Sequence, residues 1–228
     1  MTDYVVLVTG ATGDIGRGVV RKILDQTDYK VVITVTPGNK EKYNFGARVE
    51  EIVMDASDIS SVNIAIKRIC MNQISHFIQL HGNSNTDDRL DVQNYERLIY
   101  HHNINIFSTI MIVQALLNGM KERKFGRICL MSTASSEHGG GPETFGYGMA
   151  KHSAGYLIKH LAKYYTSFNI LSKLYFKLKE NLKLKSYEFC VVFLILVVCL
   201  REMLLGNNLK RKIHQSLNHI HRKEYSTF

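Results

Sequence analysis

Residues 4–24 read YVVLVTGATGDIGRGVVRKIL. A β-branched, apolar run ends at Gly10, and Gly13 and Gly16 follow at three-residue intervals before the chain takes on the spacing of a helix. Glycines between a strand and a helix permit a tight turn. They also let a pyrophosphate approach the backbone, where exposed N–H groups and the positive end of the helix meet its charge. Three glycines alone would serve an ordinary tight turn equally well. Their place directly after the first strand, opening a helix, is what points to dinucleotide binding.

Outward from this stretch the same alternation continues. "KVVITVT", "VEEIVMDAS", "HFIQLHG" and "GRICLMSTAS" read as strands, separated by helical patterns that include "SVNIAIKRICMNQ" and a long stretch from Tyr95 to Met120. Apolar strands alternating with helices imply βαβ units and a parallel sheet buried on both faces. With right-handed crossovers the expected fold is α/β, a doubly wound parallel sheet of Rossmann type in three α/β/α layers. The expected organisation is a dinucleotide-binding domain over residues 1–170 and an atypical segment over 171–228.

A second stretch carries chemistry. "GYGMAKHSAG", residues 146–155, sets Tyr147 and Lys151 one helical turn apart among small residues. Taken with "TGATGDIG", with "NINIFSTIMIVQALL" and with "GRICLMSTASS" starting 21 residues after Asn105, the chain resembles the short-chain dehydrogenase/reductase family over residues 3–170. The glycine spacing and "FIQLHG" are similar to the family's extended and atypical branches. The spacing from Asn105 through Gly126 to Tyr147 is more like the simple, single-domain reductases.

The resemblance implies NAD(P)-dependent hydride transfer between nicotinamide and a carbonyl, alcohol or sugar-nucleotide substrate. Tyr147 is then the acid/base and Lys151 its partner, which also holds the cofactor ribose. A free phenol titrates near pH 10, and an adjacent ammonium is expected to lower that value. The family's catalytic hydroxyl falls on Thr133, with Ser132 and Ser135 as alternatives, and the helix-borne Asn on Asn105, with Asn103 as its rival. Gly10, Thr12, Gly13, Asp14, Ile15, Gly16 and Arg17, together with Asp55, Tyr147 and Lys151, are the implied cofactor-binding residues. An acidic residue at the end of the second strand would favour NAD. Thr36 and Pro37 stand there instead, with Lys40 and Arg17 at hand, so NADP is expected in preference to NAD.

Composition bounds the rest. Of the net charge of +9, residues 171–228 supply +7 from 8 Lys, 3 Arg and 4 Glu, so the basic excess is no sign of nucleic-acid binding by the first 170 residues. The four cysteines form no CxxC and no dense framework, and "MTDYVVLVTG" enters an apolar run without a basic stretch, so no cleavable leader is expected. A reduced, cytoplasmic setting is expected. His81, His101, His102 and His152 suggest no metal set. The apolar run Phe189–Leu200 is 12 residues, short of the roughly 20 that cross a bilayer, so no membrane span is expected. A small-molecule substrate and a possible homo-oligomer complete the partners.

Family members carry a Pro-Gly turn after the active-site helix. Here no proline follows Pro142, and the composition turns Lys- and Leu-rich near residue 171. This suggests a truncated or frame-disrupted member. Two functions therefore stand: an oxidoreductase, or a non-catalytic dinucleotide-binding module or degenerate family member.

Overall fold

A computed structural model describes residues 4–39, 44–84 and 88–177. Val5–Thr9 (β1) passes through the Gly10 turn into Asp14–Gln26 (α1), and Lys30–Val35 (β2) follows. Next come Val49–Val53 (β3), Ile59–Ile69 (α2) and Ile74–Gln79 (β4). Tyr95–His102 (α3) runs through a π-helical segment, Asn103–Phe107, into Ser108–Glu122 (α4). Gly126–Thr133 (β5), the short Ser135–His138 (α5), Phe145–Tyr165 (α6) and Ile170–Lys177 (β6) complete the order.

The six strands pair in parallel in the order β3-β2-β1-β4-β5-β6. Successive residues of a strand point to opposite faces, so the apolar runs fill two cores. Leu7, Val32, Ile52, Phe77 and Ile128 pack with Val62, Ala65 and Ile69 of α2, Ile112 and Leu116 of α4, and Ala150 and Ala154 of α6. On the other face Val6, Val8, Ile33 and Ile78 pack with Val19, Val20 and Ile23 of α1. This is the doubly wound, three-layer arrangement that the alternation predicts. Strand order reverses between β1 and β4, the switch point at whose carboxyl ends sheets of this kind bind ligands.

Leu7 lies at the centre of the sheet and is fully buried. Leu7→Ala should lower stability by about 2–5 kcal/mol, the range for deleting a buried leucine side chain. The urea midpoint should fall without a change in slope.

The continuous run Tyr95–Glu122 has the length and composition of a membrane-crossing helix. Its apolar side chains Ile106, Ile112, Val113, Leu116 and Met120 are nevertheless buried against the sheet, which accounts for its hydropathy. β6 runs across the expected 170/171 boundary and pairs with β5 along its whole length, from Gly126 opposite Ile170 to Thr133 opposite Lys177. Residues 171–177 therefore belong to the sheet. The remainder of the atypical segment, including Phe189–Leu200, lies outside the described residues.

Candidate active site

The glycine turn closes the end of β1 against the end of β4. Gly10 sits at φ +71°, and a Cβ there would fall 2.5 Å from the His81 backbone nitrogen. A Cβ on Gly16 would overlap the Gly10 carbonyl oxygen. Gly13 differs: the nearest atom to a Cβ would be the Gly10 oxygen, at 3.5 Å. Gly13 is the N-cap of α1 and no side chain caps that end, so the first-turn N–H groups of Asp14, Ile15 and Gly16 have no intrahelical acceptor. An uncapped helix N-terminus behind an open glycine fits a pyrophosphate. The Arg17 guanidinium braces the turn, donating to the Thr12 carbonyl at 3.3 Å and to the Asp14 carboxylate at 2.6 Å.

The end of β2 is polar, and among the described residues it carries no carboxylate. Thr36 accepts from Asn39 Nδ2 at 3.0 Å, and Lys40 lies outside the described residues. Asp55, just beyond β3, accepts from the Ser57 N–H at 2.9 Å and the Ser57 hydroxyl at 2.7 Å through the same oxygen.

α6 carries Tyr147 and Lys151. Lys151 is buried, and its Nζ donates to the carbonyls of His81 at 3.3 Å and Met131 at 3.1 Å. Burial lowers its pKa to about 8. Asn105 occupies the π-helical segment, where its Nδ2 donates to the His101 and Asn83 carbonyls and its Oδ1 accepts from the Asn83 N–H. These bonds meet the need of a buried amide in a helix interior. Gly82 brings the two side chains together, because a Cβ there would lie 2.7 Å from Asn105 Oδ1 and 2.9 Å from Lys151 Nζ. Asn103 points elsewhere, donating to the Ser57 carbonyl at 3.3 Å.

Of the three hydroxyls, Thr133 is the one that bears on the Tyr147 phenol, as a polar neighbour that draws its pKa down. Ser132 is committed to α6, donating to the Lys151 carbonyl at 3.2 Å, and it lies 3.1 Å from the Ser136 hydroxyl. Ser135 offers its N–H to Thr133 Oγ1 at 3.4 Å. The expected lowering of the phenol pKa does not occur in this arrangement. Burial raises it, and Thr133 only tempers the rise. The physical reason is burial of the phenol, while the Lys151 ammonium is bonded to two backbone carbonyls.

Two histidines and an aspartate frame the site. His81 bridges the glycine turn to α4, with Nδ1 2.7 Å from Thr9 Oγ1 and Nε2 3.0 Å from Ser108 Oγ. Burial, then the Lys151 charge, lowers its pKa to about 3, so the imidazole stays neutral. Asp88 is fully buried at the N-terminus of α6 and pairs with His101. Asp88 escapes sequence reasoning because it lies 58 residues from the helix it caps.

A family model for short chain dehydrogenases matches residues 4–172. Oxidoreductase UcpA of Escherichia coli K12 is 28% identical over 176 residues, covering 75% of this chain and 66% of that protein. The chain thus spans just under two thirds of the curated relative's length. The solved structure of ElxO with NADP bound is 25% identical at a TM-score of 0.66, covering 74% of this chain and 71% of that one. An NADH-dependent reductase, A1-R', complexed with NAD shares the fold at 14% identity and a TM-score of 0.69, covering 78% and 80%. The family match takes in β1 with its glycine turn, Asn105, β5 and the Tyr147 helix, and ends within β6; this chain belongs to the short-chain dehydrogenase family.

Proposed function

We propose that the chain is an NAD(P)-dependent oxidoreductase that interconverts a carbonyl and an alcohol, on a simple or sugar-nucleotide substrate, with Tyr147 as acid/base. The observation that carries this reading is one convergence. Tyr147 with Thr133, Lys151 Nζ and Asn105 Oδ1 gather at the carboxyl ends of β4 and β5, where the glycine turn packs on His81.

The nicotinamide, when bound, supplies or accepts the hydride. Gly10, Thr12, Gly13, Asp14, Ile15, Gly16 and Arg17 form the turn that would hold the pyrophosphate, and Asp55 stands where the adenine would lie. In carbonyl reduction the Tyr147 O–H donates its proton to the substrate oxygen, while the Thr133 hydroxyl donates a second hydrogen bond that orients it. Lys151 offers its remaining N–H to a ribose hydroxyl, and Asn105 holds the loop after β4 that places the lysine. A phenol pushed up by burial stays protonated at neutral pH. Reduction is therefore the favoured direction there, and alcohol oxidation should rise with pH as phenolate forms.

The cofactor reading is NADP in preference to NAD, because the end of β2 presents Thr36 and no carboxylate to repel a 2′-phosphate. Arg17 contributes less than its charge suggests, since Asp14 neutralises it at 2.6 Å. Fluorescence titration with NADPH and NADH tests this, and tighter NADH binding overturns it. Lys151 loses its charge as pH rises through about 8, so affinity for the anionic dinucleotide should fall across that range. Lys151→Met should bind more weakly and lose that pH step, and a retained step would exclude Lys151 from the cofactor site.

A module that binds dinucleotide without turnover is the second reading, favoured by the absence of proline beyond Pro142. Saturable NADPH binding with no turnover on a broad carbonyl and alcohol panel would select it. A reduced cytoplasmic setting, in keeping with the exposed thiol of Cys70, belongs to both readings.

A further inference from the structure

No side chain of α6 caps its own N-terminus. Asp88 does so from the loop before α3. Its Oδ1 accepts from the Gly146 N–H at 3.0 Å, its Oδ2 from the Tyr147 N–H at 2.7 Å, and its backbone carbonyl from the Phe145 N–H at 3.0 Å. Gln93 Nε2 donates to Oδ1 at 2.8 Å, and His101 Nε2 stands 3.2 Å from the same oxygen. A carboxylate that receives so many donors complements the positive end of the helix through charge-assisted bonds. Gly146 leaves the room for it: a Cβ there would lie 2.9 Å from Asp88 Oδ1 and 3.0 Å from the His101 ring.

His101 extends the contact. Because a carboxylate only accepts, the neutral imidazole carries its proton on Nε2, and buried Nδ1 has no partner among the described residues. The His101 carbonyl in turn accepts from Asn105 Nδ2 at 3.0 Å. One aspartate thus joins the first turn of the Tyr147 helix to the turn that holds Asn105.

We propose that Asp88 is a positioning residue of this site, fixing the Tyr147 phenol against Thr133 and Asn105 by holding the first turn of α6 to His101. The proposal rests on the oxidoreductase reading for its kinetic consequence, but its structural half can be read without turnover. The test uses Asp88→Ala, which removes the acceptors, and Asp88→Asn, which keeps one oxygen and the same shape, both in the full chain. Four quantities are measured: NADPH affinity, kcat and KM on a carbonyl that the wild type reduces, and the ultraviolet pH titration of Tyr147. The last is isolated by subtracting the matching variant that also carries Tyr147→Phe.

NADPH affinity should not change, because the glycine turn and Lys151 are intact. In Asp88→Ala kcat should fall by about 10²-fold, the scale for a catalytic group displaced by about 1 Å, with KM little altered and Asp88→Asn intermediate. Burial is the larger influence on the phenol, so Tyr147 should titrate lower once the turn loosens. Wild-type kcat and an unmoved titration in a folded Asp88→Ala would overturn the proposal, as would a parallel loss of kcat, NADPH affinity and stability, which marks a plain helix cap. If the wild type reduces nothing, the oxidoreductase reading fails separately and the titration alone decides: lower supports the positioning role, unchanged refutes it. If Asp88→Ala does not fold, the same measurements on Asp88→Asn decide.

Discussion

Tyr147→Phe should lower turnover of any carbonyl this chain reduces by at least about 10²-fold, the lower range for losing a general acid. The substitution keeps the ring, which is half-buried on α6, and removes only the hydroxyl, whose polar neighbour is Thr133. Loss of one such polar interaction should cost about 1 kcal/mol of stability, so the fall in rate cannot be blamed on unfolding. NADPH affinity should persist, since Lys151 Nζ is anchored to the carbonyls of His81 and Met131 and not to the phenol. Thr133→Ala should behave as a milder version, because it removes the second donor to the substrate oxygen and leaves the proton source in place. The assay follows the nicotinamide absorbance across a panel of carbonyls. Equal rates for wild type and Tyr147→Phe would end the acid/base assignment, whatever the family membership.

The phenol also shows where sequence spacing runs out. An i, i+4 pattern establishes that Tyr147 and Lys151 share a helix face, but not which way the ammonium turns. Its direction is set by the carbonyls of His81 and Met131, 70 and 20 residues away. The sign of the Tyr147 shift is set by burial, a second tertiary fact that could not be reached from "YGMAK". Counts carried by a strand or helix reach further. The 21 residues from Asn105 to Gly126 favour Asn105 over Asn103, and it is Asn105 that lies with Lys151 Nζ around Gly82 while Asn103 bonds to Ser57. The sheet was legible for the same reason: apolar strands alternating with helices admit few right-handed topologies. Asp88 was not legible, since a cap supplied from a distant loop leaves no periodic trace in "TDDRLD".

Gly13→Val and Gly16→Val should both abolish NADPH binding, yet only one of them should disturb the fold. Gly13 has φ −72° and ψ 166°, an extended conformation that a β-branched residue adopts readily. Among the described residues its Cβ would meet nothing closer than 3.5 Å. Valine is a poorer N-cap than glycine, which should remove about 1 kcal/mol or less of stability. The isopropyl group would instead occupy the space in front of the open N–H groups of α1, where a pyrophosphate must come within hydrogen-bonding distance of the backbone. Gly16 faces inward, and its Cβ would overlap the Gly10 oxygen and press on Ala11. Backbone cannot rotate aside as a side chain can, so the turn itself must shift, and overpacking of this kind costs about 1–3 kcal/mol. Thermal unfolding beside fluorescence titration separates the cases. Gly13→Val should lose NADPH with a near wild-type melting curve, whereas Gly16→Val should lose both. Wild-type affinity in Gly13→Val would mean that the dinucleotide, if bound at all, does not lie on this turn, and wild-type stability in Gly16→Val would refute the close contact with Gly10.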